Sequence, residues 1–566
     1  MSSSSSPTPY KNQLYAALKQ ECQQQNKLFE DPEFPCTTSS LFFSNPLSRR
    51  VEWRRPREIS NNPHLFVEGI SSHDLNQGEV GNCWFVAACS CLALKPELWQ
   101  KVIPNWTEQE WDPEHPERYA GIFRFNFWIF GEWTEVVVDD RLPTINGKLI
   151  YCHSNSTNEF WSALLEKAYA KLSRWCVCRL SGSYESLSGG NTGEAVVDFS
   201  GAINEPLNLK NYQRDPKVKT KLFYFLLEVS DNGGIISCSI AASSRERELR
   251  LPNGLVKGHA YSVTAVKKVH LGNSTLSPLE DGTIPLIRMR NPWGKHEWNG
   301  AWSDSSEEWK TVGEAERDHL GITVIDDGEF WMSFDDWCQN FTDIDVCRLI
   351  NTSEMNGKET WHETVHFGGW TTHLNPLKHR SGGCINHMLT FLQNPQYALD
   401  ISQDEEKLLL SLQQRNMKIH RGENLFIGFS IFKVELNRKY RMHDIITQQH
   451  IGTSKYINAR SVVMRKVLSK GRYVIIPTTF SPGTQGEFML RVYTDQEADC
   501  SVCVVQVWNQ ATVKEQFLGQ VVLPATLNDS TEPQTLKLRR GTSLTSEELP
   551  GFITIQVVTS SELTAM

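Results

Sequence analysis

No apolar run in the 566-residue chain is long enough to cross a bilayer, and no basic segment leads into an apolar one at the N-terminus. The expectation is therefore no transmembrane segment and no cleaved leader. Ser2 in place of glycine excludes N-myristoylation. Concentrated positive charge is also missing: the net charge is −9, the pI is about 6.0, and Lys and Arg are dispersed. That argues against nucleic acid as the main partner. The fourteen cysteines form no regular framework. Cys176-Val-Cys178 and Cys500-Ser-Val-Cys503 lack partner pairs at zinc spacing. Reduced thiols in the cytoplasm are the economical reading, so the sequon Asn105-Trp-Thr107 carries little weight. The length implies three or more domains, each with material for its own core.

The stretch from Gln77 to Leu94 carries the chemistry. Gly78 and Gly81 break the backbone just before Cys83, and small or apolar residues follow as a buried helix. Cys83 then stands at a helix N-terminus, where free N–H groups and the helix dipole favour a thiolate. The Gln77 amide, six residues upstream, is placed to join the Cys83 backbone N–H at an oxyanion. A lone cysteine is more often structural, but Cys-Trp after a glycine turn is a signature of papain-like proteases. The thiolate needs a base, and the base an orienting group. Lys257-Gly-His-Ala-Tyr261 places His259 at the start of a strand, and Ile287-Arg-Met-Arg-Asn-Pro-Trp-Gly294 ends a second strand at Asn291. Trp293 is placed to cover the His–Asn hydrogen bond. Singly, His259 reads as a core histidine and Asn291-Pro292 as a turn. The order Gln, Cys, His, Asn makes the set specific.

Along the chain, residues 1–25 form a polar tail and an expected helix from Tyr10 to about Lys27, a short anchor segment. Residues 26–190 form the lobe that bears Cys83, with a strand at 119–130, a hairpin partner at 135–140 and an amphipathic helix at 158–171. Residues 191–350 form a second lobe with His259 and Asn291. From 351 to 498, strand-like runs separated by turns predict a β-sandwich. The acidic Asp404-Glu-Glu406 and basic Asn437-Arg-Lys-Tyr-Arg441 runs are candidates for switching or phospholipid contact, with solvated surface the plainer reading. Residues 499–566 hold three or four strands, too few to close a sandwich.

Together these motifs resemble the calpain family of calcium-dependent cysteine proteases over essentially the whole chain. The segments Leu65-Phe-Val-Glu-Gly69, Gly131-Glu-Trp-Thr-Glu135, Asp139-Asp-Arg-Leu-Pro143, Ser188-Gly-Gly190 and Asp327-Gly-Glu-Phe-Trp-Met332 carry the resemblance. It is closest to the branch without a penta-EF-hand domain (calpain five and calpain six), and no D-x-D-x-D-G loop is present. The resemblance implies an α+β fold: a two-lobed papain-like core, an all-β C2-like sandwich and an incomplete C-terminal C2 domain. It implies Cys83, His259 and Asn291 as the triad, Gln77 as oxyanion donor, Trp293 as shield, and Gly190 and Gly258 as backbone that holds an extended substrate. It also implies one Ca²⁺ in each lobe. The first would be held by Asp74, Glu159 and backbone oxygens of Val67 and Gly69, the second by Glu297, Asp304, Asp327 and Glu329. Calcium would align the lobes.

Two departures stand out. Residues 172–181 add several positions that family members lack, just ahead of Gly190. The first part of the C2 domain is missing, and Asn509 stands where a C2 calcium loop favours Asp. Exposed strand edges and little calcium-dependent lipid binding are expected there. The leading expectation is a calcium-activated intracellular endopeptidase, cytoplasmic or peripheral to a membrane, that makes limited cuts in flexible protein segments. The alternatives are a non-proteolytic protein that binds cytoskeleton or membranes, and a plain papain-like protease indifferent to calcium.

Overall fold

The computed structural model describes residues 6–44, 49–71, 74–173, 182–243, 245–271, 282–322, 327–350, 361–375, 378–415, 424–438, 441–496, 504–510, 515–522, 534–539 and 548–555, the last four ranges as backbone. The first lobe is built around the helix Cys83–Ala93, whose residues from Trp84 to Ala93 are all buried. Such an all-round apolar helix can exist only inside a core. The helix Trp161–Leu172 and the antiparallel hairpin Ile122–Ile129 with Glu132–Asp139 share its hydrophobic core. So does the helix Thr192–Ser200, although the sequence divides the lobes ahead of it, at residue 191.

The N-terminal segment is docked rather than frayed. Thr8–Pro9 pairs in parallel with Glu132–Asp139, and Tyr15 packs with Phe29, Ile122 and Val137. The expected single helix from Tyr10 is broken, because Lys11 and Asn12 adopt positive φ of 53° and 61°. A 3₁₀ turn at Tyr10–Asn12 precedes the α-helix Tyr15–Gln24. The break lets Gln13 reach inward, where the buried Lys171 donates to Gln13 Oε1, Asp31 Oδ2 at 2.7 Å and the Val137 carbonyl at 2.6 Å.

The second lobe is a six-stranded antiparallel sheet in the order Glu329–Ser333, Thr283–Arg290, Ala260–His270, Ile235–Ser239, Asp343–Arg348, Ile203–Asn208. Arg290 pairs with Ser262 in register. The start of one central strand therefore lies beside the end of its neighbour, which brings His259 and Asn291 to the same sheet edge.

Residues 362–494 form two antiparallel sheets around a shared apolar core that includes Trp370, Leu410, Phe429 and Phe488. The sandwich grips the protease part through the helix Thr192–Ser200. Buried Arg460 meets Asp198 at 2.6 Å, Asp198 also accepts from Tyr169 at 2.7 Å, and Arg491 donates to the Gly201 carbonyl at 2.7 Å. Of the basic run, Lys439 and Tyr440 lie outside the described residues; Arg438 pairs with Glu435, and Arg441 donates to three carbonyls between Leu392 and Asn394. Four further strands, Val504–Gln510, Glu515–Val522, Gln534–Arg539 and Glu548–Ile555, form one antiparallel sheet in that order. Among the described residues, each outer strand of this sheet pairs on one side only. Asn509 falls within a strand, opposite Gln516.

Most of the insert, residues 174–181, lies outside the described residues. Its ends do not. The helix stops at Leu172, and a Cβ on Gly182 would lie 2.7 Å from the Ser173 carbonyl oxygen and 2.1 Å from that of Ala170. The chain thus rejoins where it left. A variant that joins Ser173 directly to Gly182 is expected to melt within about 2 °C of the parent by calorimetry. By contrast, Lys171→Ala strands the buried Asp31 carboxylate. It should lower the first melting transition by roughly 6 °C or more, with most of the loss recovered in Asp31→Leu/Lys171→Met.

Candidate active site

Asn82 is fixed just ahead of Cys83. Its side chain donates to Glu166 Oε1 at 2.6 Å, and Glu166 Oε2 accepts from the Cys152 backbone at 2.9 Å. Glu166 is wholly buried, and burial pushes its carboxyl up to about 8. The Asn82 carbonyl takes the first helical bonds, from Phe85 and Val86. Cys83 is the first residue of the helix and is half-buried.

Opposed forces act on its thiol. Burial pushes it up to about 11, while the backbone N–H groups of Ala260, Trp84 and Cys83 itself favour the thiolate. The Ala260 contact matters for architecture, since it brings the residue after His259 to the sulfur. A cavity of about 850 Å³ has Cys83, His259, Gly190 and Gly258 among its lining residues. Gly190 lies flat on the Trp84 indole, where a Cβ would come within 2.3 Å of the ring, so no side chain fits. Gly258 has φ of +63°, a conformation that favours glycine.

His259 is buried, and Nε2 lies 2.8 Å from Asn291 Oδ1. The Asn291 amide cannot be reversed, because its NH₂ donates to the carbonyls of Lys295 at 2.8 Å and His296 at 3.1 Å. Oδ1 must accept, so Nε2 carries the proton and Nδ1 carries the lone pair. Nδ1 is buried without a hydrogen-bond partner. Burial lowers the imidazole to about 4, against a smaller upward pull from Asn291. Trp293 covers the pair: its ring lies 4.4 Å from that of His259, and its backbone N–H also donates to Asn291 Oδ1 at 3.0 Å. Its indole N–H reaches Gln77 Oε1 at 2.9 Å, and the Gln77 amide donates to the Val80 carbonyl at 3.0 Å. Gln77 thereby keeps one amide hydrogen beyond that bond.

The two expected calcium sets differ in how far they gather. Glu159 accepts from the Val67 backbone at 2.7 Å and the Ser154 hydroxyl at 2.6 Å, beside the positive-φ turn Glu68–Gly69. Its carboxyl rises to about 7, chiefly through burial, with Asp74 adding a like charge. In the second lobe, Glu297 accepts from the Gly328 backbone and Asp327 from that of Glu329, each at 2.8 Å. Asp304 lies half-buried, two residues past Trp302. Among the described residues, no three His, Cys, Asp or Glu side chains converge as a metal cluster. The donors are all oxygen, carboxylate and carbonyl, which suits a hard cation.

Sequence reasoning missed three residues here. Arg290 is buried, which lowers its guanidinium, while Asp327, Glu329, Asp74 and Glu297 raise it, so it senses acids of both sets. Asp345 lines the cleft and accepts from Asn191 at 2.7 Å and Asn204 at 3.2 Å, with burial raising it to about 6. Glu166 is the third. The available signal was a charged residue at an inward position of an otherwise apolar element.

A cysteine at a helix start, an imidazole held by an asparagine and a glycine-lined cleft are the working parts of a cysteine endopeptidase. The description "calpain family cysteine protease" matches residues 29–348, and "calpain large subunit, domain III" matches residues 366–493. Mouse calpain-5 is 47% identical over 98% of this chain and 99% of its own length. Calpain-5 of Caenorhabditis elegans is 42% identical over 86% of this chain and 76% of its own. Human calpain-9 is 39% identical over 86% and 67%. The mouse alignment runs over 643 positions against a chain of 566, so parts of that relative have no counterpart here. Among solved structures, the clostridial cysteine protease Cwp84 gives a TM-score of 0.19 at 10% identity over 76% of this chain and 82% of its own, too low to bear on the fold. The chain belongs to the calpain family and is a cysteine endopeptidase.

The two shifts leave both members of the pair uncharged. A thiol raised to about 11 keeps its proton at neutral pH, and an imidazole lowered to about 4 stays uncharged there. Without calcium, alkylation of Cys83 by iodoacetamide at pH 7.5 should be roughly 100-fold slower than for a free cysteine, and should climb with pH beyond 9. Peptide mass spectrometry of Cys83 reads this; a plateau near pH 8.5 contradicts the shift.

Proposed function

We propose that this chain is a calcium-activated endopeptidase that makes limited cuts in flexible protein segments, with Cys83, His259 and Asn291 as its catalytic set. The observation that carries this reading is the lone pair on His259 Nδ1, fixed by the pinned Asn291 amide. Cys83 gives its proton to Nδ1, and the sulfur attacks the scissile carbonyl carbon. The oxyanion is received by the Cys83 backbone N–H and the Gln77 amide. The imidazolium then protonates the leaving amine, and water hydrolyses the thioester with His259 again as base. Gly190 and Gly258 offer backbone to an extended substrate, and Trp293 keeps water from the His–Asn bond.

Asp74, Glu159 and the carbonyls of Val67 and Gly69 would hold a calcium ion in the first lobe, and Glu297, Asp304, Asp327 and Glu329 would hold one in the second. The ion would supply positive charge against clustered carboxylates, and the residues of each set would then be drawn together so that the lobes align. Two features support this assignment: the Glu159 carboxyl is raised chiefly by burial, with the Asp74 charge adding a smaller part, and Arg290 responds to acids from both sets. The domain limits proposed are 1–25, 26–190, 191–350, 351–498 and 499–566, with the helix Thr192–Ser200 packed on the first lobe. Among the described residues no helix is long and apolar enough to cross a membrane; the dispersed cysteines support a cytoplasmic setting.

Purified chain should cleave casein only with calcium, and Cys83→Ser should abolish cleavage. Asp74→Asn, Asp327→Asn and Glu329→Gln should each raise the calcium needed for half activity at least about tenfold. Turnover in chelator overturns the calcium reading. A folded chain that leaves casein intact under all conditions favours the non-proteolytic alternative.

A further inference from the structure

Gln77 and Trp293 stand 216 residues apart in the chain and meet in one hydrogen bond, from the indole N–H to Gln77 Oε1 at 2.9 Å. Both ends of that bond are held. On the Gln77 side, Asn76 exchanges backbone hydrogen bonds with His153 at 2.9 and 3.2 Å. A Cβ on Gly78 would lie 2.4 Å from the Ile150 carbonyl oxygen, so the backbone after Gln77 is pressed against that segment. On the other side, the Trp293 backbone N–H donates to Asn291 Oδ1 at 3.0 Å, and its ring packs 4.4 Å from that of His259. What the backbone leaves open is the Gln77 side chain, which turns about several bonds. Two hydrogen bonds of opposite polarity settle it: the oxygen accepts from the indole, and the nitrogen donates to the Val80 carbonyl at 3.0 Å. Turning the amide over would set N–H against N–H and oxygen against oxygen.

We propose that Trp293 is a positioning residue for the oxyanion donor: its indole N–H fixes the Gln77 amide so that the remaining amide hydrogen faces the oxyanion. This inference rests on the catalytic roles proposed above for Cys83, His259 and Gln77. Covering the His259–Asn291 bond needs only an apolar ring, and a phenyl group supplies one. The indole N–H serves Gln77 instead. Since Trp293 also packs on His259, one side chain ties the oxyanion donor of the first lobe to the base of the second. The donor is then fully fixed only when the lobes are in register. Without the indole bond, the amide is pinned at its nitrogen alone.

The test is a double-substitution cycle on the full chain, with a fluorogenic casein peptide and saturating calcium. Trp293→Phe should lower kcat about tenfold and hold KM within about twofold. Gln77→Ala should lower kcat roughly 100-fold, and in that background Trp293→Phe should cost less than about twofold, because no amide remains to be positioned. Replacing Trp293 by benzothienylalanine, an isostere that lacks only the N–H, should reproduce the loss seen with Trp293→Phe and guards against a loosened cleft. Alkylation of Cys83 by iodoacetamide develops no oxyanion and should change less than about twofold in either Trp293 variant. Losses that multiply in the double variant, full turnover with the isostere, or alkylation that falls in step with turnover overturn the proposal and leave the ring as a shield alone. A parent chain that leaves the peptide uncut overturns the catalytic reading itself, and this inference with it.

Discussion

The proposed catalytic set rests on one hydrogen bond, from His259 Nε2 to Asn291 Oδ1. An isolated asparagine presents oxygen or nitrogen equally well. This one cannot, because a tight turn returns the Lys295 and His296 carbonyls to its NH₂. Gly294, at φ of +63°, and its backbone bond to the Asn291 carbonyl close that turn. Reversing the amide would put a proton on Nδ1 and leave no base for the thiol. Five residues of local backbone thus decide the tautomer of the imidazole.

Around that bond the cleft balances burial against polar support. Burial keeps both the thiol and the imidazole uncharged, and three backbone N–H groups at the sulfur work the other way. The walls are stiffened by buried carboxyls: Glu166 braces Asn82 beneath the nucleophile, and Asp345 ties a strand of the second lobe to the loop that follows Gly190. Through Arg460 and Asp198 the sandwich holds the helix whose first residue lines the cleft. The β domain is therefore part of the cleft's support.

Much of this was legible in the chain because the relevant signals are local. The glycine-broken turn before Cys83 and the alternating hairpin at 122–139 each declare themselves within about ten residues. The N-terminal helix was misjudged because its break comes from two positive-φ residues that aim Gln13 at Lys171, 158 residues away. The helix Thr192–Ser200 was divided from the first lobe for the same reason. Its apolar face gives no hint of which core it will join. Glu166, Asp345 and Arg290 escaped notice because a buried charge is told from a surface charge only by its surroundings.

By itself the sequence determined the chemical vocabulary: a cysteine at a helix start, and a histidine and an asparagine at strand ends. Those follow from periodicity, turn residues and residue type, which act over a few positions. Only the tertiary structure decided the proton on Nε2, the free lone pair on Nδ1, and the guanidinium shared by acids from both lobes. Each depends on atoms brought within about 3–4 Å from distant parts of the chain, where hydrogen bonding and burial set protonation.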